Sequence, residues 1–266
     1  MSIKLFVSDI DGTLLLPGKN PSQKNLDAIK KMQEAGIIFT IATGRMYSAA
    51  VPIAKFAGVT APIISYNGAM IKTLSGEVLH SDYLPPEMVL ELINFFEEKN
   101  VHLQTYSEDI LRFPERNKFT KAYEASQRVS GGAVGWDGLK KFTSKVCKVL
   151  GIFESVEENE KISAELKEKF GDKIEVTKSA PMFAEVMNSG TSKAAAVKIL
   201  ADKFGFEKDE VATIGDSDND LPMLLAAGTG IAMGNADEEV KKSCKAITST
   251  CEEDGFAEAV YKFILK

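Results

Sequence analysis

Apolar runs that stop abruptly at polar clusters recur along this chain. Leu5-Phe6-Val7 leads into Ser8-Asp9-Ile10-Asp11-Gly12-Thr13, and residues 37–42 (IIFTIA) lead into Thr43-Gly44-Arg45. Residues 62–65 lead into Tyr66-Asn67-Gly68-Ala69, and residues 211–215 (VATIG) into Asp216-Ser217-Asp218-Asn219-Asp220. A short apolar run bounded by turn residues predicts a buried strand followed by a loop. Between these runs the period becomes helical. Asn20-Pro21 reads as N-cap and first residue of a helix that buries Leu26, Ile29 and Met32 and ends at Gly36. Residues 46–56 predict a second helix, with Pro52 as a kink or boundary. Ala196, Ile199, Leu200 and Phe204 mark another, closed by Gly205. A short helix is expected over 221–227, a last core strand over 229–233 before Gly234-Asn235-Ala236, and terminal helices over 238–244 and 255–265. Strands alternating with helices predict an α/β protein with a mostly parallel sheet.

The middle of the chain has a different pattern. Residues 71–83 predict a hairpin turning at Ser75-Gly76, and Pro85-Pro86 opens an amphipathic helix carrying Val89, Leu92, Ile93 and Phe96. Strands are expected over 101–106 and 110–113, a helix over 116–129, and loops at Ser130-Gly131-Gly132 and Gly135-Trp136-Asp137-Gly138. A strand over 146–153, a charged helix over 157–170 and a strand pair over 174–178 and 182–187 complete the region. Antiparallel hairpins mixed with helices predict an inserted α+β domain.

With 266 residues there is room for two modest domains. A net charge of -6 and the lack of any long Lys/Arg block argue against a nucleic-acid partner. Cys147, Cys244 and Cys251 are odd in number and far apart, so neither a disulfide framework nor a zinc cluster is expected. No signal peptide and no apolar run of membrane-spanning length is visible, which sets the expectation of a cytoplasmic protein without a membrane partner. Nothing implies an obligate protein partner.

The strand-end clusters carry the chemistry. In an open parallel sheet ligands bind outside the carboxyl ends of strands, and chance turns would scatter polar residues at both ends. Asp9 and Asp11 stand two apart, which in a strand aims both at one side. Converging carboxylates are costly unless a cation or a shared proton relieves them; the competing reading is a surface turn. Asp216 and Asp220 would join them, and a hard, oxygen-ligated ion such as Mg²⁺ would make the group tolerable. The same GDSDND stretch also serves as an Asx-rich helix cap, and it lacks the glutamate of a calcium loop. Lys193 stands near a helix amino terminus, where a cation is unfavourable unless it serves an anion. Thr43 offers a hydroxyl and a backbone N–H to a phosphoryl oxygen, with Gly44 allowing close approach; helix capping is the alternative. Arg45 is read as orienting its loop by an ion pair. His80 and His102 are isolated, and the cysteines lack a basic partner.

Taken together these residues resemble the haloacid dehalogenase superfamily of phosphohydrolases. Asp9-Ile10-Asp11-Gly12-Thr13 is similar to its first motif, DxDGT; Thr43 to the second; Lys193 to the third; and Gly215–Asp220 to the fourth, GDxxND. Ala194 departs from the glycine that often follows the lysine. The size of the insertion, with Tyr66-Asn67-Gly68-Ala69, resembles the Cof-type subgroup with a type IIB cap. The resemblance implies a Rossmann-like core over 1–83 and 187–266 and a cap over 84–186 that covers the site and selects the leaving group. It further implies that Asp9 attacks phosphorus, Asp11 serves as acid then base, and Thr43, Gly44 and Lys193 hold the phosphoryl group. Mg²⁺ would be held by the Asp9 side chain, the Asp11 backbone carbonyl and Asp216, with Asn219 and Asp220 acting through water. Asn188 would touch substrate, and Arg112, Arg116 and Lys118 are candidates for binding an anionic one. The expected activity is Mg²⁺-dependent hydrolysis of a small phosphorylated metabolite, a sugar phosphate or a phosphorylated cofactor. A phosphomutase would share the phosphoenzyme but need an acceptor; a phosphate-ligand sensor would not need both aspartates.

Overall fold

The computed structural model describes residues 2–265. The chain forms two compact units, one of Met1–His80 with Ser192–Lys266 and one of Ser81–Thr191. The first stretch holds β1 (Leu5–Ser8), α1 (Gln23–Glu34), β2 (Ile38–Ile41), α2 (Tyr47–Phe56), β3 (Ile63–Ser65), β4 (Met70–Lys72) and β5 (Val78–Ser81). Next come α3 (Pro86–Glu98), β6 (His102–Ser107), β7 (Ile110–Phe113), α4 (Lys118–Gln127), β8 (Gly132–Ala133) and α5 (Trp136–Leu139). They are followed by β9 (Val146–Ile152), α6 (Val156–Phe170), β10 (Ile174–Thr177) and β11 (Phe183–Asn188). The last stretch holds α7 (Lys193–Phe204), β12 (Val211–Gly215), α8 (Leu221–Ala226), β13 (Thr229–Ala232), α9 (Glu238–Ser243), β14 (Ala246–Ile247) and α10 (Gly255–Ala259).

In the discontinuous unit β1 lies inside a parallel sheet of order β14-β13-β12-β1-β2. Both faces of β1 are covered, which is why it reads as an unbroken apolar run. Leu5 and Val7 join the cluster of Ala196, Val197 and Leu200 on α7, while Phe6 packs against Phe39 and Phe256, with ring centroids 6.3 and 5.7 Å away. From β1 the chain goes to β2 on one side and later returns as β12 on the other. The carboxyl ends of β1 and β12 therefore flank the switch point where such sheets open a crevice.

Several local expectations are corrected. The cap of α1 is Ser22, not Asn20: its backbone is extended and its side chain accepts from the Asn25 N–H. Pro52 lies within α2, which continues to Phe56 despite the lost donor. The expected third core strand, β3, touches the parallel sheet only through a bridge from Ala42 to Ile64. It pairs antiparallel with β4, which the tight Tyr66–Gly68 turn brings back beside it.

The inserted unit is a sheet of order β10-β11-β9-β6-β7-β8, antiparallel except for the last pair. Val89, Leu92, Ile93 and Phe96 of α3 and Leu166 of α6 pack on Val149 and Val186 to form its own core. Two of its expected loops are instead short elements, β8 and α5; β8 exists only because β7 offers it an edge. Asp82 accepts from Asn188 Nδ2 at 2.7 Å and from the Thr191 hydroxyl at 2.5 Å, which ties the entering and leaving segments of this unit together.

Candidate active site

The parallel register sets Ser8 beside Ile214, and the Asp9 N–H donates to the Ile214 carbonyl. The side chain of Asp9 thus emerges beyond the end of β1, next to the loop that follows β12. Lys193 is the first residue of α7, whose cap is Ser192. Its Nζ lies 2.6 Å from Asp9 Oδ1 and 2.6 Å from Asp220 Oδ1, with the lysine only 1% exposed. Burial by itself would drive this ammonium toward neutrality. The charges of Asp220 and Asp9, with their hydrogen bonds, outweigh burial and raise its pKa above the usual range. The cation at a helix amino terminus is therefore explained by two carboxylates of its own chain.

Asp216 completes the group: oxygens of Asp9, Asp216 and Asp220 all lie within 4.8 Å of one another. Burial, opposed by Lys193 and reinforced by Asp220, Asp216 and Asp11, holds the Asp9 carboxyl well above the ordinary carboxylate range. Burial and Asp220 push Asp216 up to about 7. Two buried carboxylates and a half-buried third, with one ammonium among them, keep an unmet demand for positive charge, and an all-oxygen donor set of this kind suits a hard divalent cation. The residues thus fit the Mg²⁺ expected from the motifs. Asp220 itself is largely engaged: Oδ1 takes Lys193, and Oδ2 takes the N–H groups of Asp216 and Ser217. It braces the loop, and Asp9 and Asp216 are left to present oxygens.

Asp11 does not join this group. β1 ends at Ser8, so the alternation that would aim Asp9 and Asp11 together has already lapsed. The Asp11 carboxylate accepts a forked pair from Arg45, from Nε at 2.7 Å and Nη2 at 2.6 Å. Arg45 is thus the orienting partner expected, and the group it orients is Asp11. Thr43 is 1% exposed, and its N–H already donates to the Ile64 carbonyl at 3.0 Å, which corrects the expectation for the N–H alone and leaves the hydroxyl to serve a phosphoryl oxygen. Its hydroxyl accepts from the Arg45 N–H at 3.1 Å and keeps its own proton to give. Gly44 lies between these two, in the same turn.

Three polar side chains outside the expected set tie the strand ends together. Thr13 Oγ1 donates to Asp216 Oδ1 at 2.6 Å. Asn219, expected near the metal, donates through Nδ2 to Asn67 Oδ1 at 3.1 Å, and the Asn67 N–H donates to the Thr43 carbonyl. Asn235 Nδ2 donates to the Gly12 carbonyl at 2.9 Å. Gly12 has φ +80°, and a Cβ there would stand 2.5 Å from Asp216 Oδ2, so the first loop closes on the fourth only with glycine. Asn67 and Asn235 share one signal that the sequence did carry: each lies in the polar turn that follows an apolar run.

The residues expected to read the substrate have partners of their own within the inserted unit. Asn188 belongs to the inserted unit, where its amide is committed to Asp82. Arg112 donates to the carbonyls of Ser107 and Ile110 and lies over the Phe142 ring; Arg116 pairs with Glu124, and Lys118 with Glu154. Among the described residues no helix is long and apolar enough to cross a membrane.

Comparison with known proteins bears on this arrangement. The sequence pattern of haloacid dehalogenase-like hydrolases fits residues 6–260. The 5-amino-6-(5-phospho-D-ribitylamino)uracil phosphatase YitU of Bacillus subtilis is 30% identical over 259 residues, covering 95% of this chain and 94% of its own. A crystal structure of a haloacid dehalogenase-like hydrolase from Bacteroides thetaiotaomicron superposes with a TM-score of 0.87 at 33% identity, over 98% of this chain and 99% of that one. The subclass IIB sugar phosphatase BT4131 superposes with a TM-score of 0.86 at 25% identity, over 98% of both chains.

Proposed function

The chain belongs to the haloacid dehalogenase-like hydrolase family, among its phosphatases, and we propose that it hydrolyses a small phosphorylated metabolite with Mg²⁺ through an aspartyl-phosphate on Asp9. The observation that carries this reading is the Lys193 ammonium on Asp9 Oδ1 inside a buried carboxylate group at the switch point. A lysine held in that way fixes one oxygen of the nucleophile and leaves Oδ2 to face phosphorus. The relatives YitU and BT4131 are named for a phosphorylated pyrimidine and a sugar phosphate, which supports a small polar phosphomonoester as substrate.

In the first step Asp9 Oδ2 forms a bond to phosphorus as the bond from phosphorus to the leaving oxygen breaks, and Asp11 gives that oxygen a proton. In the second, Asp11 takes a proton from water, the water oxygen bonds to phosphorus, and the bond from phosphorus to Asp9 breaks. Either transfer uses an oxygen that Arg45 holds in its fork, so Arg45 sets the direction from which Asp11 acts. Thr43 Oγ1 and Lys193 Nζ serve the equatorial oxygens, where charge is spread in a loose transition state. A bound Mg²⁺, held by the Asp9 and Asp216 side chains and the Asp11 backbone carbonyl, with Asp220 and Asn219 acting through water, would neutralise the charge collected there. The choice of leaving group falls to the inserted unit.

The test is phosphate release from a panel of sugar phosphates and phosphorylated cofactors, with Mg²⁺ and no acceptor alcohol. Asp9→Asn is expected to remove turnover and the acid-trapped phosphoenzyme while leaving the circular dichroism unchanged. EDTA should abolish activity and Mg²⁺ restore it. Hydrolysis by Asp9→Asn at the wild-type rate would end the covalent scheme. Transfer only in the presence of a second hydroxyl would make the protein a mutase.

A further inference from the structure

The segment that follows β13 touches both loops that bear the carboxylates, although it contributes no ligand. The Met233 N–H donates to the Gly215 carbonyl at 3.0 Å, and the Asp237 N–H donates to the Asp216 carbonyl at 3.1 Å. The Ala236 N–H closes the turn between them on the Met233 carbonyl. From the tip of that turn Asn235 reaches across to the first loop. Its Nδ2 donates to the Gly12 carbonyl at 2.9 Å, and its Oδ1 accepts the Cys251 N–H at 2.7 Å. Both ends of the amide are occupied by backbone, so its orientation is fixed.

Gly12 is the residue whose backbone leans on Asp216, where a Cβ would stand 2.5 Å from Oδ2, and the next residue, Thr13, donates to Asp216 Oδ1. Asn235, beside the direct Thr13–Asp216 bond, thus bears on how closely the loop after β1 approaches the loop after β12. We propose that Asn235 is a positioning residue for the reaction: through the Gly12 carbonyl it holds the first loop against Asp216 and so sets the spacing of the Asp9 and Asp216 oxygens that receive the metal. The inference rests on the functional reading above. Asn235 touches neither substrate nor metal. Its side chain is exposed, and the surrounding core is complete without it, so its loss should be felt in geometry more than in folding.

Two substitutions separate the two ends of the amide. Asn235→Ala removes both bonds. Asn235→Asp keeps the acceptor for the Cys251 N–H and places a carboxylate oxygen against the Gly12 carbonyl. The measurement is Mn²⁺ binding to the metal-free protein, followed by electron paramagnetic resonance of the free ion, together with kcat and KM at saturating Mg²⁺ and the unfolding midpoint of the metal-free protein. Groups that orient metal ligands typically matter by about 10- to 100-fold. We expect both variants to bind Mn²⁺ at least about tenfold more weakly and to lose kcat by a similar factor, with KM and the metal-free midpoint close to wild type. Wild-type Mn²⁺ affinity in both variants overturns the inference. Recovery in Asn235→Asp alone also overturns it, because it moves the role to the Cys251 segment. A wild-type protein that binds no Mn²⁺, or whose binding survives Asp216→Asn, overturns the functional reading itself and this inference with it.

Discussion

At Gly12 a single backbone conformation decides whether two distant loops can share a site. With φ at +80° and a Cβ position 2.5 Å from Asp216 Oδ2, an alanine there meets a backbone penalty and pushes the Asp216 carboxylate away from the position in which Thr13 holds its other oxygen. The backbone term is about 1–2 kcal/mol. Gly12→Ala should therefore lower stability by about that much and lower kcat by far more, at least about 100-fold, because Asp216 is displaced. Urea unfolding and steady-state kinetics on one preparation check it; an active, merely destabilised variant would show that the two loops tolerate separation. The same scale shows what could be read from the chain and what could not. Asp9, Lys193, Asp216 and Asp220 were legible because charged residues directly after apolar runs, or at a helix start, have few other uses. Asn67 was legible as a member of a strand-end cluster but not by its partner; Thr13 and Asn235 were assigned no role, because a neutral polar residue in a turn is adequately explained by the turn itself. Asp11 was legible as a residue but not as a direction, since the side to which it points depends on where β1 ends.

Helices and strands were legible wherever an element owns its pattern, as α3 and β9 of the inserted unit do. They were not where an element exists only through its neighbour, as β8 in the inserted unit and β14 in the parallel sheet do at two residues each. One side chain of β6 makes a prediction at this level. His102 is 8% exposed, stacked on Phe119 with ring centroids 5.5 Å apart. Asn117 Nδ2 faces its Nδ1 at 3.1 Å, and the Asn117 Oδ1 is taken by the N–H groups of Phe119 and Thr120 that begin α4. Nδ1 is therefore an acceptor with no place for a second proton. Burial lowers the imidazole pKa from 6.5 to about 4. Below 6.5 the unfolded chain takes up a proton that the folded unit refuses, so stability is complete above that value and falls as the pH drops toward 4. The loss from this group alone amounts to about 2 kcal/mol by pH 5. His102→Gln, whatever it costs at neutral pH, should lose less stability than wild type between pH 7 and pH 5, measured by urea unfolding. Parallel losses in the two proteins would mean that His102 is protonated in the folded state.

Two hydrophobic cores, each closed within its own unit, are joined by two chain crossings. Leu5, Val7 and Leu200 belong to one core; Leu92, Phe96 and Val149 belong to the other. The carboxylate group lies wholly in the first, with every member drawn from residues before 81 or after 191. A cation that binds Asp9 and Asp216 therefore has affinity only for the folded form of the discontinuous unit, and it stabilises that unit by mass action, about 2.7 kcal/mol at a hundredfold excess over Kd. The inserted unit gains nothing directly, because its cluster around Val149 contains no member of the site. Calorimetry with and without Mg²⁺ should then resolve two transitions, of which one moves up with the ion and the other stays in place. Asp216→Asn should leave both where they stand in EDTA. A metal-dependent rise of both transitions together would require the two units to unfold as one. The inserted unit would then be a part of the folded site, with its stability coupled to the ion, and substitutions in its core such as Val149→Ala should weaken Mg²⁺ binding. If the transitions separate, the same substitution should lower only the metal-independent transition and leave the affinity for the ion unchanged.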